Sequence, residues 1–505
     1  FSSRRRHTRY ISVTGVQTCA LPILTGCLGT TGPGAIHLLN GLYDAALDGA
    51  PVVAITGRTY HDLIHMGYFQ GIDTTDLVKD IAVFNTMVTG PRHALNVVDR
   101  ACRAALAKPG VAHLTISVDV QQQKLSEDKA SRAYGEAIGS SSWVAPIQVP
   151  LLAQIQRAAD IINDSKKVMI LCGRGALAAR LEVEELAGKI GAPVAKALLG
   201  RTSIPDDSPL SMGGIGMVGT TASIYGMEHC DCLIILGSGL PYNDCYPRHD
   251  KARCVQIDKN PSRIGLRYPV EVGLCGDVAE TVKILNTLVR RNERHDFLVR
   301  CQEEMQSWRE RLRKLEAVRT TPLKPQFFLG ELRKQLNKDA IVCLDCGSHV
   351  HFTSRHLDFI ENMRLLVSGN LATMAGGLPY AIAAKLANPK RQVIAVVGDG
   401  GIAMLMGEIS TAVKYGLPIK VFVFKNNMLG MVKQEQKDIG AKEYGVELQP
   451  INFMRVADAC GAEGFRCEKP EETASVIKAA LQSTKPCIIE VLIDPKEEPK
   501  EPKKY

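Results

Sequence analysis

Nine short apolar runs recur along the chain: PVVAITG, AHLTISV, KVMILCG, CLIILGS, CVQID, AIVCLD, QVIAVVGD, IKVFVFKN and CIIEVLI, each separated from the next by longer amphipathic stretches. A strand with one wet face alternates apolar and polar residues, whereas a strand covered by helices on both faces is apolar throughout. Continuous runs of this kind therefore predict an α/β chain of doubly wound parallel sheets. At 505 residues the chain exceeds what one hydrophobic core supports, about 250 to 300 residues. Three domains are expected, at 24–120, 147–292 and 322–493. The polar stretch 121–146 and the charged, helical stretch 293–321 read as linkers. The tail 494–505, ending PKEEPKEPKKY, is Pro-rich and charged and is expected to be disordered.

Several function classes are set aside by composition and pattern. No run of about 18 or more uncharged apolar residues occurs, so no membrane-spanning helix is expected. The 15 Cys show neither a repeated CxxC nor a Cys/His ligand spacing, which suits free thiols in a reducing, cytoplasmic setting. Of the formal charge of +8, four units belong to Arg4, Arg5, Arg6 and Arg9, and no basic stripe is interleaved with aromatics, so nucleic acid is not an expected partner. Residues 1–23, FSSRRRHTRYISVTGVQTCALPI, carry no periodicity that continues into the rest of the chain, and their apolar run is too short for the core of a secretory leader. They resemble translated sequencing-adapter read-through, which implies that the first domain is truncated at its start.

The segment VIAVVGDGGIAMLMGEIS, followed by IKVFVFKNNMLG, carries the clearest chemistry. A buried strand ends at Val397. Gly398, Gly400 and Gly401 then allow a sharp turn and let main chain and a helix N-terminus approach an anion. Asp399 and Asn426 are 27 residues apart, room for one helix and one strand, so both can stand at the same sheet edge. A carboxylate, an amide oxygen and a main-chain carbonyl suit a hard cation such as Mg²⁺. Taken alone, GDGG is a weak signal and reads first as a plain tight turn. Together with NN and Gly430 at this spacing, it resembles the signature of thiamine diphosphate enzymes, and the chain is similar from about residue 24 to 495 to the pyruvate oxidase and acetolactate synthase family.

That resemblance implies Asp399, Asn426 and the main-chain carbonyl of Met428 as Mg²⁺ ligands. It implies that Leu429 and Gly430 accompany them at the cofactor. Gly347, Ser348 and His349, in LDCGSHVHF, match a second diphosphate-contacting loop. Met374, in SGNLATMAGGLPYAIAAKLA, matches the large apolar residue that bends the cofactor so that its 4′-imino group meets the thiazolium C2. For His349 a plain surface-loop histidine is the lesser alternative, while Met374, read from the residues alone, suits ordinary core packing.

In the first domain, GTTGPGAIHLLNGLYDAALDGAPVVAITG is similar to the family's pyrimidine-binding domain, which implies cofactor-facing main chain at Gly32 and Gly34 and contact with the cofactor of a neighbouring subunit. GYFQ continues the likeness and implies active-site roles for Phe69 and Gln70, although Gly71 stands where the family has Glu. The family's cofactor-activating Glu would fall within residues 1–23, and no Glu precedes Glu127. In the middle domain, CGRGALAA, GMVGT, LGSGLPY, QIDKNPSRIG and CGD occur in the order found in the Rossmann-like FAD domain of pyruvate oxidases. The flavin-binding residues so implied are Gly173, Gly175, Gly237 and Asp258, though a GxG after a strand is also a common strand-to-helix turn.

Glu435 bears on the reaction. Acetolactate synthases carry Trp nine residues after the Asn ligand, whereas GMVKQEQ places Glu435 there, as pyruvate oxidases do. The resemblance therefore implies oxidative decarboxylation of pyruvate or a related small 2-oxo acid, with FAD and then quinone or oxygen accepting electrons, in a homodimer or homotetramer. Carboligation of the acetolactate synthase type is the alternative within the family, and a noncatalytic binding homologue the alternative outside catalysis. The charged tail has no apolar face to insert, so no lipid activation is expected.

Overall fold

The computed structural model describes residues 24–124, 146–293 and 295–502, so the expectation for 1–23 and most of the 121–146 linker lie outside the described residues. The chain separates into an N-terminal unit, which runs to Pro146 and takes in Ser368–Thr373, and a larger unit, Ile147–Val367 with Met374 onward.

The N-terminal unit is built on a parallel sheet of β1 (Thr25–Gly29), β2 (Val52–Arg58), β3 (Ala82–Val88) and β4 (Val111–Ser117), in the order β1-β2-β4-β3. The helix Pro33–Asp48 starts with Pro at its first turn, where a missing N–H costs nothing, and ends on Gly49 in the left-handed conformation. The segment Ser368–Thr373 is tied to this helix by Ser368 to Asp44 (2.5 Å), Asn370 to Asp48 (2.6 Å) and Asn40 to Thr373 (2.8 Å).

The larger unit contains two parallel sheets. One comprises β5 (Val168–Cys172), β6 (Val194–Lys196), β7 (Ser211–Gly214), β8 (Cys232–Leu236), β9 (Arg253–Asp258) and β10 (Val272–Cys275), ordered β10-β9-β8-β5-β6-β7. The other comprises β11 (Ile341–Leu344), β12 (Arg364–Leu366), β13 (Val393–Gly398), β14 (Lys420–Lys425), β15 (Glu463–Cys467) and β16 (Cys487–Leu492), ordered β12-β11-β13-β14-β16-β15. Both faces of the central strands are buried. Val168, Ile170 and Cys172 of β5 enter one core while Met169 and Leu171 enter the other. Ile394 and Val396 of β13 likewise face away from Val393, Ala395 and Val397. This two-sided burial is why the runs are continuously apolar. Among the described residues no helix is long and apolar enough to cross a membrane.

Two expectations need correction. The stretch read as a linker at 293–321 holds the helix Asp296–Glu316, whose Phe297, Leu298, Cys301, Met305, Trp308 and Leu312 pack into a core shared with β5 and β8. Its many charges line the outer face, and an amphipathic stripe hides within a charged sequence. The tail expected to be disordered is docked through residue 502. Lys324 pairs with Asp494 (2.8 Å) and Glu497 (2.7 Å), Gln434 donates to the Pro499 carbonyl (3.3 Å), and Arg355 donates to the Lys500 carbonyl (2.6 Å). Composition judged the tail by its own apolar content, whereas its partners are polar groups distant in sequence.

Candidate functional site

In the β11–β16 sheet the chain steps from β11 outward to β12, then returns to β13 and proceeds the other way to β14. Loops leaving the carboxyl ends of β11 and β13 therefore diverge and leave a crevice, the place where open α/β sheets bind ligands. Leu344 pairs with Val396 and Phe424 with Gly398, so the ends of β11, β13 and β14 lie level. The residues singled out at 347–349, 398–401 and 426–430 all lie at or just after these three ends.

The Asp399 carboxylate organises the crevice. Its Oδ1 accepts the Gly400 N–H (3.0 Å) and its Oδ2 the N–H groups of Asn426 (3.2 Å) and Asn427 (2.6 Å), joining the loops after β13 and β14. Asn426 Oδ1 accepts the Met428 N–H at 3.1 Å, and Asn427 adopts φ 56°, which Asn tolerates better than most residues. A Cβ on Gly430 would lie 3.5 Å from both Asn426 Nδ2 and Ser348 Oγ, so the second loop meets the first here. Burial raises the Asp399 pKa, partly offset by the three N–H groups. His349 is buried against Gly347 and Gly398, and burial pulls its pKa down to about 4, leaving it neutral at pH 7 with Nε2 lacking a hydrogen-bond partner.

An apolar wall stands over Gly400. A Cβ there would meet Leu429 Cδ2 at 2.9 Å, Leu448 Cδ1 at 3.1 Å and Met374 Cε at 3.6 Å. Leu448 was not marked by the motif reading. It arrives because Leu429 N–H donates to Val446 O (2.7 Å) and Leu448 N–H to Asn427 O (2.9 Å). Glu435 lies exposed on the helix Gly430–Asp438, near enough for its charge to help raise the Cys346 pKa, an effect in which burial is the larger cause.

Within the N-terminal unit, Gly32 (φ 67°) caps the helix Pro33–Asp48 and presses against Gln70 (φ 57°). Gly34 packs on Thr30, where a Cβ would fall 2.7 Å from its Cγ2. Phe69 is 78% exposed. At Gly71 the N–H closes a turn on Tyr68 O (2.8 Å), and a Cβ would come within 2.8 Å of the same oxygen, so this turn leaves no room for the family's Glu. The loop ends at Asp73, which pairs with Arg58 (3.0 Å) and caps the helix Thr74–Leu77.

The middle sheet has its own switch point between β5 and β8. There a Cβ on Gly173 would sit 2.3 Å from Gly237 O, and one on Gly175 2.8 Å from Gly237 Cα; Gly237 itself holds φ 56°. These glycines are required by the interlock of two loops, whatever binds above them. Asp258 ends β9 with Oδ1 accepting the Asn260 N–H (2.8 Å), and its pKa is raised by burial against the lowering influence of Asn260, Arg263 and Arg174.

The family description "thiamine pyrophosphate enzyme" matches the chain three times: its N-terminal TPP binding domain at residues 24–77, its central domain at 155–285 and its C-terminal TPP binding domain at 345–491. The chain belongs to the thiamine pyrophosphate enzyme family. A thiamine pyrophosphate-containing protein of Bacillus subtilis, provisionally so named, is 39% identical over 96% of this chain and 84% of its own length. The pyruvate oxidase of Lactiplantibacillus plantarum is 29% identical over 97% of this chain and 83% of its own length. The acetolactate synthase large subunit of Porphyra purpurea is 29% identical over 92% and 80%.

The residues of this thiamine pyrophosphate enzyme suit a diphosphate and a hard cation. Asp399 and Asn426 bring oxygen donors to one sheet edge, His349 Nε2 offers a ring nitrogen without a partner, and the glycines keep side chains clear of the β13 turn. Sequence reasoning passed over Asp345, in the quoted LDCGSH. It is 2% exposed, and burial raises its pKa to about 7 against the N–H groups of Cys346, Gly376 and Ala375. The one available signal was an acid directly after a buried strand and two residues before a glycine.

Proposed function

We propose that the crevice at β11, β13 and β14 holds thiamine diphosphate, with Asp399, Asn426 and the Met428 carbonyl as Mg²⁺ ligands, and that the enzyme oxidatively decarboxylates pyruvate or a related short 2-oxo acid. The convergence of the Asp399, Asn426 and Ser348 loops at the switch point is the observation that carries this reading. When bound, the cofactor supplies an electron sink for the carbon that loses CO₂. The chain does the rest. Asp399 would bring negative charge to the cation, and the glycines of the β13 turn would let main chain approach the anion. Met374, Leu429 and Leu448 brace the cofactor and exclude water beside Gly400. Ser348 and His349 contact the diphosphate from the β11 side.

FAD is the proposed first electron acceptor, near Gly173, Gly175, Gly237 and Asp258, with quinone or oxygen beyond it. Asp258 follows Gly237 by 21 residues at the end of the neighbouring strand, a placement suited to a ribose hydroxyl. Oxidation is preferred over carboligation because Glu435 occupies the position of the synthase Trp. Carboligation is the second reading, favoured by acetolactate synthase relatives of the same identity as the oxidase. The test is to purify the protein with thiamine diphosphate and Mg²⁺, record its flavin spectrum and assay pyruvate. Flavin absorbance with pyruvate-dependent dye reduction supports oxidation. Acetolactate formation without dye reduction overturns it in favour of carboligation.

A further inference from the structure

Asp345 is the first residue after β11 and lies beneath two loops at once. Its Oδ1 accepts the N–H of Cys346 (2.8 Å) and of Gly376 (3.2 Å), and its Oδ2 has no hydrogen-bond partner. Glycines surround it. A Cβ on Gly377 would lie 3.1 Å from Asp345 N, and one on Gly401 only 2.0 Å from Asp345 Oδ2. The carboxyl group therefore fills the space between the turn that follows Met374 and the turn that follows Asp399. In the first of these turns Ala375 holds φ 70°, a left-handed conformation that alanine adopts only when its surroundings impose it. The Gly376 N–H to Asp345 bond is a restraint of that kind, placed one residue beyond the strained alanine and two beyond Met374.

We infer that Asp345 is a positioning residue: its carboxyl oxygen holds the Ala375–Gly376 turn in its left-handed form and so fixes the separation between Met374 and Gly400 in which the cofactor is bent. The inference rests on the thiamine diphosphate reading given above. Asp345 touches neither substrate nor cation in this role and acts through Met374. What matters is an acceptor at Oδ1, which an asparagine side chain retains and an alanine does not.

The test compares wild type, Asp345→Asn and Asp345→Ala. In protein without cofactor, amide hydrogen exchange in the peptide carrying Ala375 and Gly376 is expected to speed up at least tenfold in Asp345→Ala and to stay near wild type in Asp345→Asn. With thiamine diphosphate and Mg²⁺ bound, deuterium exchange at the cofactor C2 is expected to fall about 10²-fold in Asp345→Ala, the order of loss that a misplacement of about 1 Å produces. Affinity for thiamine diphosphate by calorimetry should change less than tenfold, because the Asp399 and Asn426 loops are untouched. Unchanged amide exchange in Asp345→Ala overturns the inference, and so does equal damage in Asp345→Asn, which would make the charge and not the acceptor the operative feature. Wild-type protein that fails to bind thiamine diphosphate overturns the functional reading instead, while the cofactor-free exchange still decides whether Asp345 restrains the turn.

Discussion

Gly32 and Gln70 are in direct contact, and both hold left-handed backbone: a Cβ on Gly32 would lie 2.9 Å from Gln70 Cβ and 2.9 Å from its carbonyl oxygen, at φ 67° and 57°. The N-cap of the helix Pro33–Asp48 and the Phe69–Gln70 loop thus hold each other in place. Gly32→Ala is expected to lower stability by about 2 kcal/mol, from positive φ on alanine and the forced displacement of Gln70 main chain, and to reduce turnover at least about tenfold. Gly26→Ala, where a Cβ meets nothing within 4 Å, serves as the control and should shift stability by less than about 0.5 kcal/mol. Denaturant melts and turnover of both variants decide the matter; equal behaviour would show that the contact is slack.

Asp399→Ala should abolish retention of Mg²⁺ and thiamine diphosphate. Changes beyond the first ligands cost about 10- to 100-fold in metal affinity, so a direct ligand should cost at least that. The substitution also strips the acceptor from Gly400, Asn426 and Asn427, which loosens the two loops against each other. Calorimetry giving wild-type affinity would remove Asp399 from the ligand set.

Glu435→Trp is expected to move product from oxidation towards carboligation, because an acid whose charge reaches Cys346 gives way to a large apolar wall. The ratio of dye reduction to acetolactate reads this directly, and a constant ratio would deny the position any control of partitioning.

Glu316 provides a pH signature in the larger unit. Burial would raise its pKa, but hydrogen bonds from His356 (2.9 Å), Arg333 (2.8 Å) and Arg313 and the charge of Arg333 prevail and lower it to about 2. A carboxylate with a depressed folded-state pKa stabilises above its unfolded value and loses that contribution as pH falls through the folded one. Glu316→Gln should therefore cost about 2 to 3 kcal/mol at pH 7, with the difference from wild type shrinking between about pH 4.5 and pH 2. Melting curves at several pH values test it, and a difference that grows on acidification would reverse the assigned sign.

What the sequence disclosed follows from where each strand lies in its sheet. The nine apolar runs correspond to β2, β4, β5, β8, β9, β11, β13, β14 and β16, all flanked by strands on both sides. The strands that escaped notice include β1, β3, β7, β10, β12 and β15, which are the six sheet edges, and the three-residue β6. TGCLG and EGFRC are partly exposed and need no apolar run, while SMGG is buried but only four residues long and half glycine, so all three carry little signal. At the site, motif spacing pointed to Asp399 and Asn426 because both are local to glycine-rich turns. Asp345 and Leu448 were hidden because their neighbours, Gly401 and Gly400, are distant in sequence and only folding brings them together.

The docked tail carries a consequence for how this protein tolerates change. Gln434 and Arg355 grip it by the carbonyls of Pro499 and Lys500, atoms that every residue type presents alike. Letters in that stretch can therefore drift with little penalty at those two grips. A single inserted or deleted residue before Pro499 cannot, because it would carry both carbonyls out of reach of Arg355 and Gln434. Length, more than composition, is the property that selection would guard there.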